Sequence, residues 1–385
     1  MNTQSIVVGG GAIGLCTAWE LSKRGHDVRL LDRDQIGKAT SWVAAGILPP
    51  ANLSTATDPI DRLRGYSHQL FPSWARELSE LTGVDPELRQ CGGWYLADSI
   101  GEHAAMIGMA DFWGEQAIVC ERTDLKDLAA REPSLATWIQ RTSNLAAWWV
   151  PDEYQIRSPQ YLKSLIAACE KNNVKLHGGA EVIDIQSSSN GASVITAQQT
   201  WQADHVIVCA GSWTGRIAKR FRLEQSLVPV RGQILILKSA KPPLRSIVNI
   251  GQRYVVCRDD GHTVIGACEE EVGFQLGNTR GAIDQLREFA FAVCPSLQAS
   301  IEVGQYSGLR PMTFDGFPMI GQVPDTKNLY IATGHFRSGV HLSPATATAI
   351  ADLVCGEKPN VDLTSFQIAK QQSNPFHQTN EHHER

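Results

Sequence analysis

The first 32 residues carry the pattern that most restricts how this chain can fold. The β-branched run at residues 6–8 predicts a buried strand, and the apolar positions of residues 12–23 predict a helix that packs against it. The turn between them reads Gly9-x-Gly11-x-x-Gly14, and residues 28–31 predict a second, parallel strand. A strand, a glycine turn, a helix and a second strand in this order predict a nucleotide-binding unit.

The three glycines of this turn and the acid that follows have separate expected roles. Gly9 permits the tight turn, Gly11 lets the backbone approach a pyrophosphate, and Gly14 lets the helix close on the sheet. Asp32 lies about twenty residues further on, where a carboxylate can accept a hydrogen bond from a ribose hydroxyl. We therefore expect an ADP-containing dinucleotide without a 2′-phosphate. A glycine pattern alone more often marks a turn, and this motif does not separate NAD from FAD.

Composition excludes several classes of function. The 385 residues allow about two or three domains, and 35 basic against 40 acidic side chains leave no excess positive charge for a nucleic-acid surface. The nine cysteines include no C-x-x-C pair, as expected for reduced thiols in a cytoplasmic enzyme, and we assign no metal site. No apolar run approaches the roughly 18 residues of a membrane span, and the early first strand leaves no room for a signal peptide.

Segments typical of a nucleotide-binding domain alternate along the chain with a segment rich in predicted strands. The strand predicted at residues 206–208 ends in Ala210 and Gly211, which can bring backbone close to a ligand beyond the carboxyl end of a parallel sheet. A plain strand, turn and helix is the alternative there. Between residues 228 and 306, by contrast, predicted strands at 228–237, 254–257, 263–266 and 301–306 surround one helix at 279–293. This β-rich part predicts an antiparallel sheet that serves as a substrate domain.

Four further motifs, taken with the opening unit, resemble the D-amino-acid oxidase superfamily of flavoproteins, most closely its glycine oxidase branch. The resemblance covers nearly the whole chain. It depends on Thr40-Ser41 with residues 44–48, residues 229–233, residues 308–311 with 315–321, and residues 334–339 with 344–346.

The fold that follows is α/β (α+β overall). We expect a Rossmann-like FAD-binding domain of the glutathione-reductase type with an inserted antiparallel β-rich substrate domain. The predicted FAD-binding parts are residues 1–85, 151–225 and 307–370, the substrate parts are 86–150 and 226–306, and residues 371–385 form a flexible tail.

Motif and resemblance together give the residues expected at the cofactor. They come from the glycine turn, the strand ends and the loop before the last helix: Gly9, Gly11, Ala12, Ile13, Gly14, Asp32, Arg33, Thr40, Ser41, Ala45, Gly46, Ile47, Val182, Ala210, Gly211, His335, Phe336, Arg337, Ser338, Gly339, Val340 and His341.

The resemblance implies that Tyr254, Arg310 and Arg337 meet the carboxylate of an amino acid. A guanidinium supports this role for Arg310, because its planar fork matches a carboxylate at two points, which lysine cannot do. Three alternatives stay open: Arg310 as a surface ion pair, Arg337 as a residue that only shapes the flavin loop, and Tyr254 as a core residue.

The implied chemistry is FAD-dependent oxidative deamination of glycine, sarcosine or a small D-amino acid. Hydride passes from the carbon bearing the amine to the flavin, the imine is hydrolysed to a 2-oxo acid, and O2 reoxidises the flavin with release of H2O2. No catalytic side chain is required. The branch feeds thiamine thiazole synthesis in many bacteria.

We expect FAD to be held without a covalent bond. Related sarcosine oxidases tether the flavin to a cysteine just before the region of Arg310, whereas this chain has none between Cys294 and Cys355. Alternatives are a dehydrogenase that reduces a quinone or carrier, an NAD-dependent enzyme, and a non-catalytic flavoprotein. The sequence leaves open the amine, the electron acceptor and whether the protein is a homo-oligomer.

Overall fold

The structure is a computed structural model that describes residues 2–218 and 226–368. The helices of this part of the chain are α1 (Ala12–Lys23), α2 (Thr40–Val43), α3 (Pro59–Thr82), α4 (Ile100–Glu115), α5 (Leu125–Arg131), α6 (Ala136–Arg141), α7 (Ser158–Lys171), α8 (Thr214–Ile217), α9 (Arg280–Val293) and α10 (Ser343–Val354).

The strands of the same part form four sheets. They are β1 (Gln4–Val8), β2 (Asp27–Leu31), β3 (Ile47–Leu48), β4 (Arg89–Gln90), β5 (Gly93–Ala97), β6 (Glu121–Thr123), β7 (Ala146–Val150), β8 (Tyr154–Gln155), β9 (Lys175–His177), β10 (Val182–Ser188), β11 (Gly191–Thr196), β12 (Thr200–Ala203), β13 (His205–Val208), β14 (Leu227–Lys238), β15 (Ile247–Ile250), β16 (Arg253–Cys257), β17 (His262–Gly266), β18 (Ile301–Thr313), β19 (Met319–Gln322) and β20 (Leu329–Thr333).

A six-stranded sheet holds the opening unit at its centre. Its order is β19-β20-β13-β1-β2-β9, and all neighbours are parallel except β19 with β20. Side chains of β1 alternate between the two faces, as the two-residue period of a strand requires. Val7 packs with the helices α1, α3, α7 and α10, whereas Ile6 and Val8 pack against the small sheet β10-β11-β12.

An eight-stranded sheet forms the second large layer. Its order is β18-β14-β17-β16-β15-β5-β7-β6, and neighbours are antiparallel except β5 with β15. Leu235 and Val255 lie on the face that packs against α9, while Ile234, Val256 and Tyr254 lie on the opposite face. The sheet therefore presents one apolar face to its helix and a second face to the site described below.

Two features of this sheet differ from the sequence prediction. The strand β15 was not predicted, and its parallel pairing with β5 joins residues 86–150 and 226–306 in one sheet. The predicted strand at residues 301–306 is the first half of β18, which continues to Thr313 because Leu309, Arg310 and Pro311 pair with β14. The predicted domain boundary after residue 306 thus falls inside a strand. The predicted tail, residues 371–385, lies outside the described residues.

Within residues 2–218 and 226–368, no helix has both the length and the apolar character that crossing a membrane requires. No group of three or more histidine, cysteine or acidic side chains in these two segments is arranged to hold a metal ion. All nine cysteines are free thiols.

Candidate active site

A cleft of about 1020 Å³ is lined by residues of both large sheets. At one end lie the turn after β1 and the end of β2, represented by Gly11 and Asp32. At the other end lie Tyr254 of β16 and Arg310 of β18. The carboxyl ends of the parallel strands therefore open onto the same space as the face of the eight-stranded sheet that is turned away from α9.

The turn after β1 is shaped by glycines that no other residue could replace without strain. Gly9 has φ of +108°, and a Cβ at this position would lie 2.5 Å from the carbonyl oxygen of Cys209. A Cβ on Gly14 would overlap the carbonyl oxygen of Gly9. Gly11 is the N-cap of α1. The N-terminus of α1 is consequently held close to the cleft.

Asp32 is fixed at the end of β2 by two backbone hydrogen bonds. Its Oδ2 accepts from the N–H of Gly10 at 2.6 Å, and its Oδ1 accepts from the N–H of Asp34 at 2.9 Å. Burial raises the pKa of Asp32, while these two hydrogen bonds act in the opposite direction. The neighbouring Arg33 pairs with Asp34 and lies 4.1 Å above the ring of Trp213. The carboxylate therefore has a fixed position with lone pairs left for a ligand hydroxyl.

Short polar side chains of α2 connect the glycine turn to the eight-stranded sheet. Ser41 Oγ accepts from the N–H of Ala12 at 3.0 Å. Thr40 Oγ1 donates to the carbonyl of Leu309 at 3.1 Å and accepts from the N–H of the same residue at 3.2 Å. Gly46 follows with φ of +70°, and a Cβ there would overlap the carbonyl oxygen of Ile156. Through Ser41 and Thr40, α2 therefore links the glycine turn to strand β18.

The loop before α10 contributes two buried, neutral histidines. Burial lowers the pKa of His335 to about 3, and its Nε2 lies 3.1 Å from Thr346 Oγ1. Burial also lowers the pKa of His341 well below the ordinary value. Because both rings are uncharged at neutral pH, Arg337 supplies the charge of residues 335–341.

Arg310 and Tyr254 both rest on glycines of neighbouring strands. A Cβ on Gly232 of β14 would overlap the Arg310 guanidinium, and a Cβ on Gly266 of β17 would overlap the Tyr254 ring. Arg310 Nη1 donates to the carbonyl of Cys268 at 3.1 Å. Burial lowers the pKa of Arg310 and raises that of Tyr254. The missing glycine side chains let the guanidinium and the phenol lie flat on the sheet.

A carboxylate that the sequence prediction missed lies between the two arginines. Glu269 Oε1 accepts from Arg337 Nε at 2.5 Å and lies 4.0 Å from Arg310 Nη1. Burial tends to raise the pKa of Glu269, but the hydrogen bond from Arg337 and the two positive charges outweigh it, so the pKa is lowered. The side chain of Arg337 is 45% exposed, against 17% for Arg310. The two arginines therefore stand in different surroundings.

Comparison with known proteins identifies the family of this arrangement. Residues 4–353 match the sequence model of the family described as DAO, FAD dependent oxidoreductase. The chain belongs to this DAO family. It is 31% identical to a glycine oxidase of Pseudomonas aeruginosa over 371 residues, which are 96% of this chain and 99% of that protein.

A solved DAO-type structure and a longer relative extend the likeness. The crystal structure of glycine oxidase from Geobacillus kaustophilus matches with a TM-score of 0.89 and 30% identity, covering 96% of this chain and 100% of that one. A bifunctional protein ThiO/ThiG of Trichormus variabilis is 29% identical, covering 96% of this chain and 55% of that longer protein.

FAD is the cofactor of the DAO family, and the cleft of this chain fits it. The turn at Gly9 and Gly14 leaves no Cβ between the strand and the N-terminus of α1, where a pyrophosphate can approach. Asp32 lies at the end of β2, where a ribose hydroxyl can be bound. The volume of about 1020 Å³ extends from there to Tyr254 and Arg310. A dinucleotide therefore has donors and an acceptor at one end and open space at the other.

Of the site residues predicted for this DAO-family chain, all except Gly14 line the cleft. Gly14 lies behind the turn, against Gly9. Their roles as cofactor or substrate contacts stay predictions. Residues of α3, α4 and three strands of the eight-stranded sheet also line the cleft without having been predicted; they include Asp61, Arg64, Tyr95, Trp113, Gly232 and Asn249.

The wall formed by α3 and α4 was missed because its residues have an ordinary structural interpretation. Arg64 forms an ion pair with Asp61, one turn away on α3, and Gln116 Nε2 donates to the other Asp61 oxygen at 3.2 Å. An i,i+3 pair on an amphipathic helix predicts only a surface contact. Beside the strands β5 and β15, the fully buried Glu153 accepts from Asn249 Nδ2 at 3.3 Å, and burial raises the pKa of Glu153 to about 7.

Proposed function

We propose that this protein is an amino-acid oxidase that uses FAD and O2 to deaminate glycine or another small amine such as sarcosine or a D-amino acid. The products are an imine, hydrolysed to a 2-oxo acid, and H2O2. The observation that carries the proposal is the largely buried Arg310 fork, held flat over Gly232 and beside Tyr254, at the far end of a cleft that fits FAD. The match to glycine oxidases over nearly the full chain supports it.

In this proposal, one large sheet binds FAD and the other binds the substrate. The six-stranded sheet forms the Rossmann-like FAD-binding domain of the glutathione-reductase type, because the glycine turn and Asp32 lie at the carboxyl ends of its parallel strands. The eight-stranded sheet forms the inserted substrate domain, because Tyr254 and Arg310 belong to its strands β16 and β18.

The protein binds and orients the substrate in this account. Arg310 pairs with the substrate carboxylate at two points, and the Tyr254 hydroxyl donates a further hydrogen bond. Their fixed positions aim the carbon that bears the amine, which acts on the chemical step as well as on affinity. The bound flavin supplies the hydride acceptor and delivers the electrons to O2. No general base is needed when the amine binds neutral, and the positive charge of Arg310 favours that anionic form of the substrate.

The setting of the enzyme is part of the proposal. Nine free cysteines and the absence of a membrane-spanning helix from residues 2–218 and 226–368 support a cytoplasmic enzyme. The glycine oxidase resemblance and the match to the bifunctional protein ThiO/ThiG support a role in thiamine biosynthesis. The flavin is held without a covalent bond, so acid precipitation releases it into the supernatant.

Oxygen consumption tests the reaction. Purified enzyme supplied with glycine should consume O2 and form H2O2 and glyoxylate in equal amounts. Reduction of an artificial acceptor with no O2 uptake would instead identify a dehydrogenase. Bound FAD that glycine, sarcosine and small D-amino acids all leave oxidised would contradict an amino-acid oxidase altogether.

A further inference from the structure

The segment after β17 holds Glu269 and Glu270 in opposite directions. Backbone hydrogen bonds of 2.8 Å and 3.0 Å pair Glu270 with Arg231 of β14. The Glu270 side chain accepts from Arg231 Nε at 3.0 Å and from Gln233 Nε2 at 2.6 Å. Successive side chains of an extended segment point to opposite sides. The backbone pairing therefore turns Glu269 away from Arg231 and toward Arg310 and Arg337.

Glu269 lies closer to Arg337 than to Arg310, and it therefore neutralises mainly the charge of Arg337. The 2.5 Å hydrogen bond from Arg337 Nε compensates the charge of that arginine, whereas Arg310 Nη1 is 4.0 Å away. The pKa of Glu269 is lowered, so its carboxylate stays ionised at neutral pH. Of the two arginines beside Glu269, Arg337 is paired with its carboxylate, and the Arg310 fork is left for one further carboxylate.

We propose that Glu269 is a specificity-determining residue that restricts the site to amino acids with a single carboxylate. This inference rests on the proposed function and names the substrate class of the same site. A substrate whose first carboxylate occupies Arg310 and whose second one reaches toward Arg337 meets the ionised Glu269 there. Placing like charges side by side is a general means of rejecting the wrong ligand. Without Glu269, two adjacent arginines would favour a dicarboxylate.

Glu269→Gln separates this role from a merely structural one. The glutamine amide oxygen can still accept from Arg337 Nε, so the loop keeps its support while the negative charge is removed. Glu271→Gln is the matched control, because it removes the same charge two residues further along from an exposed side chain. A residue that only positions Arg337 would alter the binding of one and two carboxylates alike.

The experiment measures how tightly the FAD-loaded enzyme binds glycolate, which has one carboxylate, and malonate, which has two. Dissociation constants come from the change in the flavin absorption spectrum on titration. In Glu269→Gln, affinity for malonate should rise relative to glycolate by about tenfold or more, the size expected for one nearby like charge partly screened by water. In Glu271→Gln, the ratio should stay within about twofold of the wild-type value.

An unchanged ratio in Glu269→Gln would overturn the inference, and so would an equal change in both variants. Failure to detect binding of either carboxylate to any form would overturn it as well. The proposed function is tested separately, by adding glycine without air. If the ratio shifts as expected while glycine leaves the flavin oxidised, the proposed role of Glu269 is supported and the proposed oxidase activity is contradicted. If glycine reduces the flavin and the ratio is constant, only the role of Glu269 fails.

Discussion

The position of the Arg310 guanidinium depends on Gly232, a residue without a side chain. Arg310 could be selected from the sequence because it stands in a motif shared with a known family and because its planar guanidinium matches a carboxylate at two points. Gly232 could not, because its importance appears only when β14 and β18 are in register and the guanidinium lies across the glycine. Glu269 was missed for the same reason, since it meets Arg310 and Arg337 from a third segment of the chain.

Gly232→Ala should weaken substrate binding without loss of FAD. The added Cβ overlaps the far end of a flexible side chain, so Arg310 moves while the strand stays in place. Loss of a well-aligned, charge-assisted pair costs roughly 1.5 to 3 kcal/mol, which is about tenfold or more in the dissociation constant for glycolate. Titration of the FAD-loaded enzyme with glycolate, followed by the flavin absorption spectrum, measures this dissociation constant. Gly281→Ala, at an exposed position with open space around it, is the control. Wild-type affinity for glycolate in Gly232→Ala would show that Gly232 is not needed to position Arg310.

The buried Glu153 makes stability depend on pH. Its pKa is about 7 in the folded protein, against about 4.5 for an ordinary glutamate, so the folded state holds a proton that the unfolded chain releases. The free energy of unfolding should therefore fall as the pH rises from about 4.5 to about 7. Glu153→Gln removes this dependence and should stabilise the protein by about 2 to 3 kcal/mol more at pH 8 than at pH 5. Urea unfolding at both pH values tests it, and an equal effect at both would show that Glu153 titrates normally.

At the scale of elements, local patterns predicted the unit β1-α1-β2, while pairing between distant strands decided the rest. The helix predicted at residues 12–23 agrees with α1. The strand β18 continues through Gly308 and Pro311, residues that locally favour a turn, because pairing with β14 compensates for their poor strand propensity. The short β15 carries too few residues for its alternation to stand out, and only its partners β5 and β16 define it.

Gly14→Ala tests the close approach of α1 to β1. Alanine is the better helix former by about 1 kcal/mol, so a stabilised protein would be expected if the position were open. Here the added Cβ would overlap the Gly9 carbonyl, which cannot move away without disturbing the turn. We expect a net loss of about 1 to 3 kcal/mol in the free energy of unfolding, measured in urea. Gly108→Ala on α4, where nothing lies within 4 Å, should show no loss. An equal response of both variants would contradict the close contact.

At the scale of the whole molecule, the site exists because separated segments return to the same cleft. Strands from residues 86–150 and 226–306 share one sheet, and β18 extends this sheet beyond residue 306. The strand order of the six-stranded sheet could not be predicted from composition or periodicity. It is set by crossover connections between segments that are far apart in sequence. Resemblance to a known family predicted what local physics could not, namely which distant motifs line the same cleft.

Reduction of the bound flavin by glycine, followed by stopped-flow absorbance without air, tests the central claim most directly. The wild-type protein should lose the absorbance of its oxidised flavin at least as fast as it turns over. Arg310→Met, loaded with FAD, should bind glycine about thirtyfold more weakly or worse and be reduced more slowly at saturation, and Arg310→Lys should fall between the two. If glycine reduces the Met variant with wild-type rate and affinity, Arg310 is a structural arginine and the assignment of the substrate site is wrong.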